Sequence, residues 1–572
     1  MKYMKLFFIL IISIQIYSQS YIDYRSPFHP TESKSGMIVS QNYLSSQIGK
    51  QILDQGGNAV DAAVAVGFSL SITLPRAGNL GGGGFMLVYM KEKNEIFYID
   101  YRSQSPLNSN IKDLFNKKLP QQYKKVDFDV VTRGYKATAM PGTVAGLLEA
   151  HKNFGNLPLS KILEPVIKQA KEGIIVSYDL HNAIKSSRQL FLDQESRNLY
   201  FKDDKPLPVG SVMTRNDLAQ TLSLIARNGL KGFYDGETRE KIISAMENNN
   251  GFISELDFES YKVNISDPIV GSYRDNLVFT AGPPSGGGVV LLTSLNILSL
   301  FELQKADSLS VRTYHLLAEA LRRGHNNRSH HIGDPSFYNV PIQNLLSKER
   351  TLKLSENINF KKATPSSKIK PLSVLNESRD TTHFSIIDKD GNAVANTYTL
   401  GFSFGSGVTI PGTGILMNNQ MNNFAYRHGD KSIKGRAASP GNKFNSGKRP
   451  MSTMAPTMVF NKDNELMLIT GSPGGSYIPA AILRVVSGVI DFDLNIGEAT
   501  MLPRVHKDWP YAGLDYEKNI SSDSIKILDN LGHDPQLNKT MGSTQSIHII
   551  NGINYGYADL RRPDAGVAIQ ER

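Results

Sequence analysis

The chain has 572 residues, with 63 basic against 53 acidic side chains, a net charge of +10, 40% hydrophobic residues and no cysteine. That hydrophobic fraction, beside 20% charged residues, describes a folded globular protein with a sizeable core and excludes wholesale disorder. The missing cysteines exclude a disulfide scaffold, a zinc finger, an iron–sulfur site and a thiol nucleophile, so the chemistry must come from oxygen, nitrogen or a cofactor.

The first twenty residues read MKYMKLFFILIISIQIYSQS, in which Lys2 and Lys5 precede an apolar run from Leu6 to Ile12 and the small Ser18 follows. This is the pattern of a secretory signal, residues 1–18, removed after about Ser18. The apolar run is shorter than the roughly 20 residues that a membrane span takes. A secreted or periplasmic protein with no stable membrane span is expected. The positive excess is spread thinly, without a dense Lys/Arg run interleaved with aromatics, which argues against nucleic-acid binding.

Further along, small residues Ala59, Ala62, Ala63 and Ala65 recur at helical spacing and predict a close-packed helix, followed after GNLGGGG by a buried strand over Phe85 to Met90. Residues 140–260 read as mostly helical, because PGTVAGLLEAHKNFG, SKILEPVIKQAKEG and RNDLAQTLSLIARNG each end near glycine. The segment YRDNLVFTAGPPSGGGVVLLTSLNILSL then returns to strand, glycine-rich turn and helix. In RRGHNNRSHHIGD, His325, His330 and His331 read as the solvated face of a polar helix rather than as metal ligands. From Lys361 the text KKATPSSKIKPLSVLNESRD is polar and aperiodic, a linker too long to be an ordinary connection. It ends at Thr381, the head of TTHFSIIDKDGNAVANTYTL, where two β-rich runs flank the hairpin signal Asp390-Gly391.

A threonine hydroxyl is a weak nucleophile unless a base lies beside it, and one such base is the residue's own α-amino group, freed by cutting the preceding peptide bond. An exposed linker followed by threonine at a strand start suits such a cut; plain strand preference explains the same residue without chemistry. Three glycine-rich turns, Gly81 to Gly84, Gly286 to Gly288 and Thr470 to Ser476, lack the endings and spacings of nucleotide-binding loops. Their glycines either let backbone N–H groups approach a ligand, as an oxyanion hole requires, or simply make tight turns.

Taken together, NLGGGGFM (79–86), PGTVAG (141–146), PPSGGG (283–288), TTHFSIIDKDGNAVANTYTL (381–400), GILMNNQM (414–421), KRPMSTMAPT (448–457), TGSPGGS (470–476) and GSTQSI (542–547) resemble the γ-glutamyltranspeptidase family, the glutathione hydrolases. The resemblance runs from about residue 30 to the C-terminus. It implies an N-terminal-nucleophile hydrolase of α+β class, a four-layer αββα sandwich needing no cofactor and no metal. It further implies one precursor that cuts itself between Asp380 and Thr381 into a large piece, 19–380, and a small catalytic piece, 381–572, which stay together.

By matching position the resemblance makes Thr381 the nucleophile, Thr399 the hydroxyl that orients it, and the N–H groups of Gly474 and Gly475 the oxyanion hole. Donors would be γ-glutamyl compounds such as glutathione, with water, amino acids or peptides as acceptors. The donor's α-carboxylate falls to Arg102, Ser452 and Thr453, and its α-ammonium to Gln420 and Asn423. Here the chain departs from the family, which usually has Asn or Glu at Gly401 and Asp at Asn423; many relatives also carry Glu at Ser103. An ammonium that meets Asn instead of a carboxylate loses a charge-assisted hydrogen bond. A glutaryl-type dicarboxylic monoamide acylase is therefore an alternative expectation. A non-catalytic ligand-binding relative is another, disfavoured by the presence of Thr381, Thr399 and the glycine pair. Residues 425–447, rich in Gly, Ser and Lys between two pocket motifs, read as a lid or as a plain surface loop.

Overall fold

The structure, a computed structural model, describes residues 26–115, 127–369, 380–426, 439–511 and 513–571. The expected signal segment lies outside the described residues, as do residues 370–379 of the linker and 427–438 of the expected lid.

Alternating apolar residues build two seven-stranded sheets from strands β1 (Thr31–Ser33), β2 (Met37–Ser40), β3 (Gly83–Met90), β4 (Glu95–Tyr101), β5 (Asn264–Ser266), β6 (Ile269–Tyr273), β7 (Asn276–Thr280), β8 (Asp380–Ile387), β9 (Ala393–Gly401), β10 (Thr457–Phe460), β11 (Leu466–Thr470), β12 (Gln545–Ile550), β13 (Ile553–Ala558) and β14 (Gly566–Ile569). The first sheet has the order β1-β13-β12-β11-β10-β7-β6 and the second β14-β2-β8-β9-β3-β4-β5. Every ladder in both is antiparallel.

Both faces of the second sheet are buried, and the two-residue period sorts its side chains. Ile38, Met86, Val88, Phe384, Ile386 and Val394 pack outward with helices α1 (Tyr43–Asp54), α2 (Ala59–Thr73), α3 (Thr143–Phe154), α4 (Leu159–Glu172) and α5 (Asn216–Asn228). Their neighbours Met37, Val39, Phe85, Leu87 and Tyr89 join the core shared with the first sheet and with helices α6 (Gly287–Leu298), α7 (Val311–His331) and α8 (Ile478–Ile490). Tyr89 of β3 meets Phe460 of β10 edge to face, ring centroids 5.0 Å apart, and so bridges the two sheets. The layers are helices, sheet, sheet, helices, as expected from the sequence.

Helix α2, predicted from its alanines, is buried along its whole length and starts in a capping box between Asn58 and Asp61. The predicted hairpin between β8 and β9 is organised by Asp388, whose carboxylate accepts from the backbone N–H groups of Ala59 (2.9 Å), Asp390 (3.0 Å) and Asn392 (2.9 Å). One side chain thus ties the turn to the first residue of α2.

The reading of α7 as a solvated helix is corrected by the structure. His325 and His330 are buried, along with almost every residue from Thr313 to His330. The polar side chains satisfy one another instead of meeting water: Glu319 pairs with Arg322 and Arg323, and His325 meets His506 edge to face with ring centroids 5.1 Å apart. Periodicity cannot separate a wet polar helix from a dry one whose charges are paired. Among the described residues no cluster of His, Asp and Glu could hold a metal ion.

Replacing Asp388 by Ala strips one acceptor from three backbone N–H groups, and the expected loss is about 2–3 kcal/mol of stability. It is read as a lower urea midpoint; Asp388→Asn, which keeps an acceptor oxygen, falls between that variant and the wild type.

Candidate active site

Strands β8, β9, β3 and β4 are successive neighbours in the second sheet, and at one end they present Thr381, Thr399, Gly83 and, just past Tyr101, Arg102. The pairing of β8 with β9 slips here. Asp380 faces Gly401 and Thr382 faces Tyr398, so Thr399 and Leu400 together oppose the single residue Thr381. A bulge of this kind re-aims a side chain where a sheet ends. Strand alternation puts Thr381 on the same face as His383 and Ser385, toward the first sheet. Both threonines are 5% exposed.

Backbone groups converge on Thr399. Its Oγ1 accepts from Gly401 N at 2.9 Å, and its carbonyl accepts from Gln420 Nε2 at 2.7 Å. Gly401 has φ +106°, and a Cβ there would lie 2.1 Å from Asn419 Oδ1, which already accepts from Phe402 N at 2.9 Å. The local backbone demands glycine at this position. The glycines of 81–84 serve close packing rather than a ligand: a Cβ on Gly83 would meet Ser103 N at 2.4 Å, and one on Gly82 the carbonyl of Thr399 at 2.5 Å.

Arg102 is 1% exposed and reaches across to the segment 448–453, with Nε donating to Pro450 O at 3.2 Å and Nη2 to Met451 O at 3.3 Å and Asn423 Oδ1 at 3.2 Å. Its own backbone is held at both ends. Asp100 Oδ1 accepts from Arg102 N at 2.8 Å, and Tyr261 Oη donates to Arg102 O at 3.0 Å. Asp100 in turn pairs with Arg449 at 2.5 Å. Burial works against the Arg449 charge, but Asp100, Tyr261 and Asp334 hold its pKa above even the ordinary arginine range.

The other two glycine turns meet in the same place. Ser452 O accepts from Gly286 N at 2.8 Å, Ser452 N donates to Pro284 O at 3.1 Å, and Ser285 Oγ donates to Met454 O at 2.5 Å. Thr453 Oγ1 donates to Gly475 O at 2.8 Å, so the Ser452–Thr453 segment is joined directly to the turn after β11. In that turn Gly474 has φ +128° and Gly475 φ +58°, outside the range of ordinary side-chain-bearing residues. His383 fills the space behind it: a Cβ on Gly471 would lie 2.3 Å from its Cε1, and the ring bonds Thr397 Oγ1 at 2.8 Å and Ser385 Oγ at 3.0 Å. Burial pulls the His383 pKa down to about 3, so the ring is a neutral spacer between the sheets.

The structure therefore brings together Thr381, Thr399, Gln420, Asn423, Arg102, Ser452, Thr453, Gly474 and Gly475, drawn from distant stretches of the chain. Gln420 Oε1 is buried with no hydrogen-bond partner among the described residues. Sequence reading missed Asp100, Tyr261, Arg449, Asn419 and His383. Arg449, Asn419 and His383 stood inside the motifs above, but nothing in spacing announces a residue that acts by holding another. A guanidinium beside two hydroxyl-bearing residues suits a carboxylate, and paired threonines beside positive-φ glycines suit acyl transfer.

Comparison with known proteins agrees with this geometry. The family model described as Gamma-glutamyltranspeptidase matches residues 45–569. A glutathione hydrolase proenzyme of Escherichia coli (strain K12) is 40% identical over 543 residues, covering 94% of this chain and 92% of the relative. The acylase ACY 1 proenzyme of Pseudomonas sp. (strain SE83) is 33% identical over 515 residues, 89% of each chain. The crystal structure of cephalosporin acylase from Bacillus halodurans superposes with a TM-score of 0.83 at 26% identity, covering 97% of this chain and 100% of that one. With the motifs, the layers and the site in agreement, the chain belongs to the γ-glutamyltranspeptidase family.

Proposed function

We propose that this enzyme cleaves γ-glutamyl amides such as glutathione through an ester on Thr381, passing the acyl group to water or to an amino acid or peptide. The observation that carries the reading is the slipped pairing that sets Thr381 against Thr399 at the sheet end, beside Arg102 and the Gly474–Gly475 turn. In the uncut strand β8 the nitrogen of Thr381 is an amide with no basic lone pair, so turnover requires the bond to Asp380 to break first. Thr381 Oγ adds to the Asp380 carbonyl carbon, the C–N bond breaks to leave an ester and a free amine, and water hydrolyses the ester. The two products are the pieces 19–380 and 381–572.

The freed α-amine then takes the proton from Thr381 Oγ as the oxygen attacks the γ-carbonyl of the donor. Thr399 holds the hydroxyl in line, and the N–H groups of Gly474 and Gly475 receive the developing oxyanion, the step where preorganised dipoles matter most. Arg102, Ser452 and Thr453 receive the donor's α-carboxylate. Gln420 Oε1 and Asn423 face its ammonium. The amine leaves protonated, and a second nucleophile releases the acyl group. The N-terminal segment supports export to the periplasm or beyond; no helix among the described residues is long and apolar enough to cross a membrane.

A denaturing gel with intact masses tests the central claim. Wild-type protein is expected as two pieces, the smaller beginning at Thr381, and Thr381→Ala as a single uncut chain. A wild-type chain that stays whole refutes the assignment and favours the ligand-binding alternative.

Thr453→Val removes the hydroxyl that holds Gly475 O while keeping the shape of the side chain. The expected result is a drop of about tenfold in kcat/KM, because the same residue is assigned to the donor's α-carboxylate as well as to the oxyanion turn, in protein that is still cut. Steady-state kinetics on a γ-glutamyl anilide measures it.

The second reading, an acylase for dicarboxylic monoamides, is favoured by one observation: Asn423 Oδ1 serves Arg102, and Gly401 offers no side chain at all. Comparing kcat/KM for γ-glutamyl and glutaryl p-nitroanilides separates the two. The first reading expects the γ-glutamyl donor to lead by about tenfold, the value of one polar contact to a charge; a lead for glutaryl reverses the assignment.

A further inference from the structure

Arg102 and Ser452 come from opposite sides of Thr381 in the sequence, one at the end of β4 and the other in the loop before β10. A pocket made of two such parts needs something to fix their separation, and the structure shows a buried ion pair placed between them. Asp100 stands two residues before Arg102 and Arg449 three before Ser452; they are 4% and 6% exposed. Arg449 Nη1 lies 2.5 Å from Asp100 Oδ2 and 3.1 Å from Asp100 O, and its Nη2 donates to Lys262 O. Arg449 N donates to Asp334 Oδ2 at 2.8 Å, and its guanidinium sits 5.7 Å from the ring of Tyr261, whose hydroxyl holds Arg102 O. The second oxygen of Asp100 holds Arg102 N.

A pair as deep as this adds little net stability over an apolar pair of the same shape, because both ions are desolvated. What it supplies is geometry, since a guanidinium and a carboxylate meet in few orientations. We propose that Asp100 and Arg449 are positioning residues that lock the Arg102 strand end to the Ser452–Thr453 loop, setting the grip on the donor's free carboxylate without touching the donor. This rests on the reading above that Arg102 receives that carboxylate. The pair joins the piece before residue 380 to the piece after it, so it is one of the ties, with the bonds of Arg102 to Pro450 and Met451 and of Ser105 to Lys448, that keep this half of the pocket in register once the chain is cut.

The test uses cut, full-length enzyme and two donors: γ-glutamyl p-nitroanilide, which carries the carboxylate, and 4-aminobutyryl p-nitroanilide, which lacks it. Asp100→Asn and Arg449→Gln are each expected to raise KM for the first donor by about 10- to 30-fold with kcat within about threefold, the range of a broken buried pair that acts through another group. Their kcat/KM for the second donor should stay within about twofold, and the double variant should be no worse than the worse single one, as coupled residues behave. Tyr261→Phe, a milder change, is expected to raise KM for the first donor by about threefold. If Arg449→Gln fails to be cut, Asp100→Asn and Tyr261→Phe decide the matter. Equal losses on both donors mean a merely structural role and overturn the proposal, as does an unchanged KM. Arg102→Gln is the control for the underlying reading. If it does not discriminate the donors, the carboxylate assignment itself falls; if it does while Asp100→Asn and Tyr261→Phe do not, only the clamp falls.

Discussion

The pairing of β8 with β9 is the constraint on which the rest of the molecule depends. A regular ladder would set Thr381 squarely against one neighbour; the slip between Asp380 and Thr382 instead sets it against Thr399 and Leu400 at the rim. The same two strands share in holding the chain's two halves together. Five ladders pair a strand from before residue 380 with one from after it: β1 with β13, β7 with β10, β2 with β14, β2 with β8 and β3 with β9. A cut at the head of β8 therefore severs one peptide bond and leaves both sheets intact. On the proposed assignment Thr381 would gain a free amine while its surroundings remain a packed interior.

Around this rim the core is unusually ionic. Arg504 pairs with Asp559 at 2.6 Å, and Arg561 spans Glu517 at 2.6 Å and Asp559 at 3.2 Å, all nearly or fully buried. The Arg504 side chain also donates to Met541 O at 2.7 Å, one residue before the Gly542 that packs on the Gly474 turn. Lys507, three residues beyond Arg504, is buried beside His533, and desolvation pulls its pKa down to about 8. Loops that must hold backbone N–H groups at a fixed angle cannot be fixed by apolar contact, which is non-directional. Directional pairs do that, and these lie behind the loops that carry the site.

How much of this was legible in the sequence follows from the same distinction. The strand alternation around Phe85 and Phe384, the alanine-lined α2 and the Asp390-Gly391 hairpin declare themselves, because apolar period and turn chemistry are local. The candidate site residues Thr381, Arg102, Gly474 and Ser452 were legible through motif order. What stayed hidden depends on partners far along the chain. The polar text of α7 gives no hint that Glu319 and its arginines are dry. The glycines of 81–84, read as a possible ligand loop, are set by the closeness of Leu416, Thr399, Ser103 and Tyr398 in turn. Asp100 and Arg449 looked like ordinary charges until the fold set them 2.5 Å apart.

Asn423 shows what the departure from the family pattern does physically. Its Oδ1 lies 3.2 Å from Arg102 Nη2, so a carboxylate at this position would pair with the guanidinium as well as with an incoming ammonium. Two opposite charges at such a distance attract strongly where water is excluded, and each weakens the other's pull on a third group. An aspartate would thus strengthen the hold on the donor's amine and weaken the hold on its carboxylate. On the proposed assignment the neutral amide would make the reverse choice: Arg102 would keep its full charge for the donor's acid group, and recognition of the amine would fall to the neutral acceptors Gln420 and Asn423. A donor that carries the acid but lacks the amine would then forfeit less here than beside an aspartate.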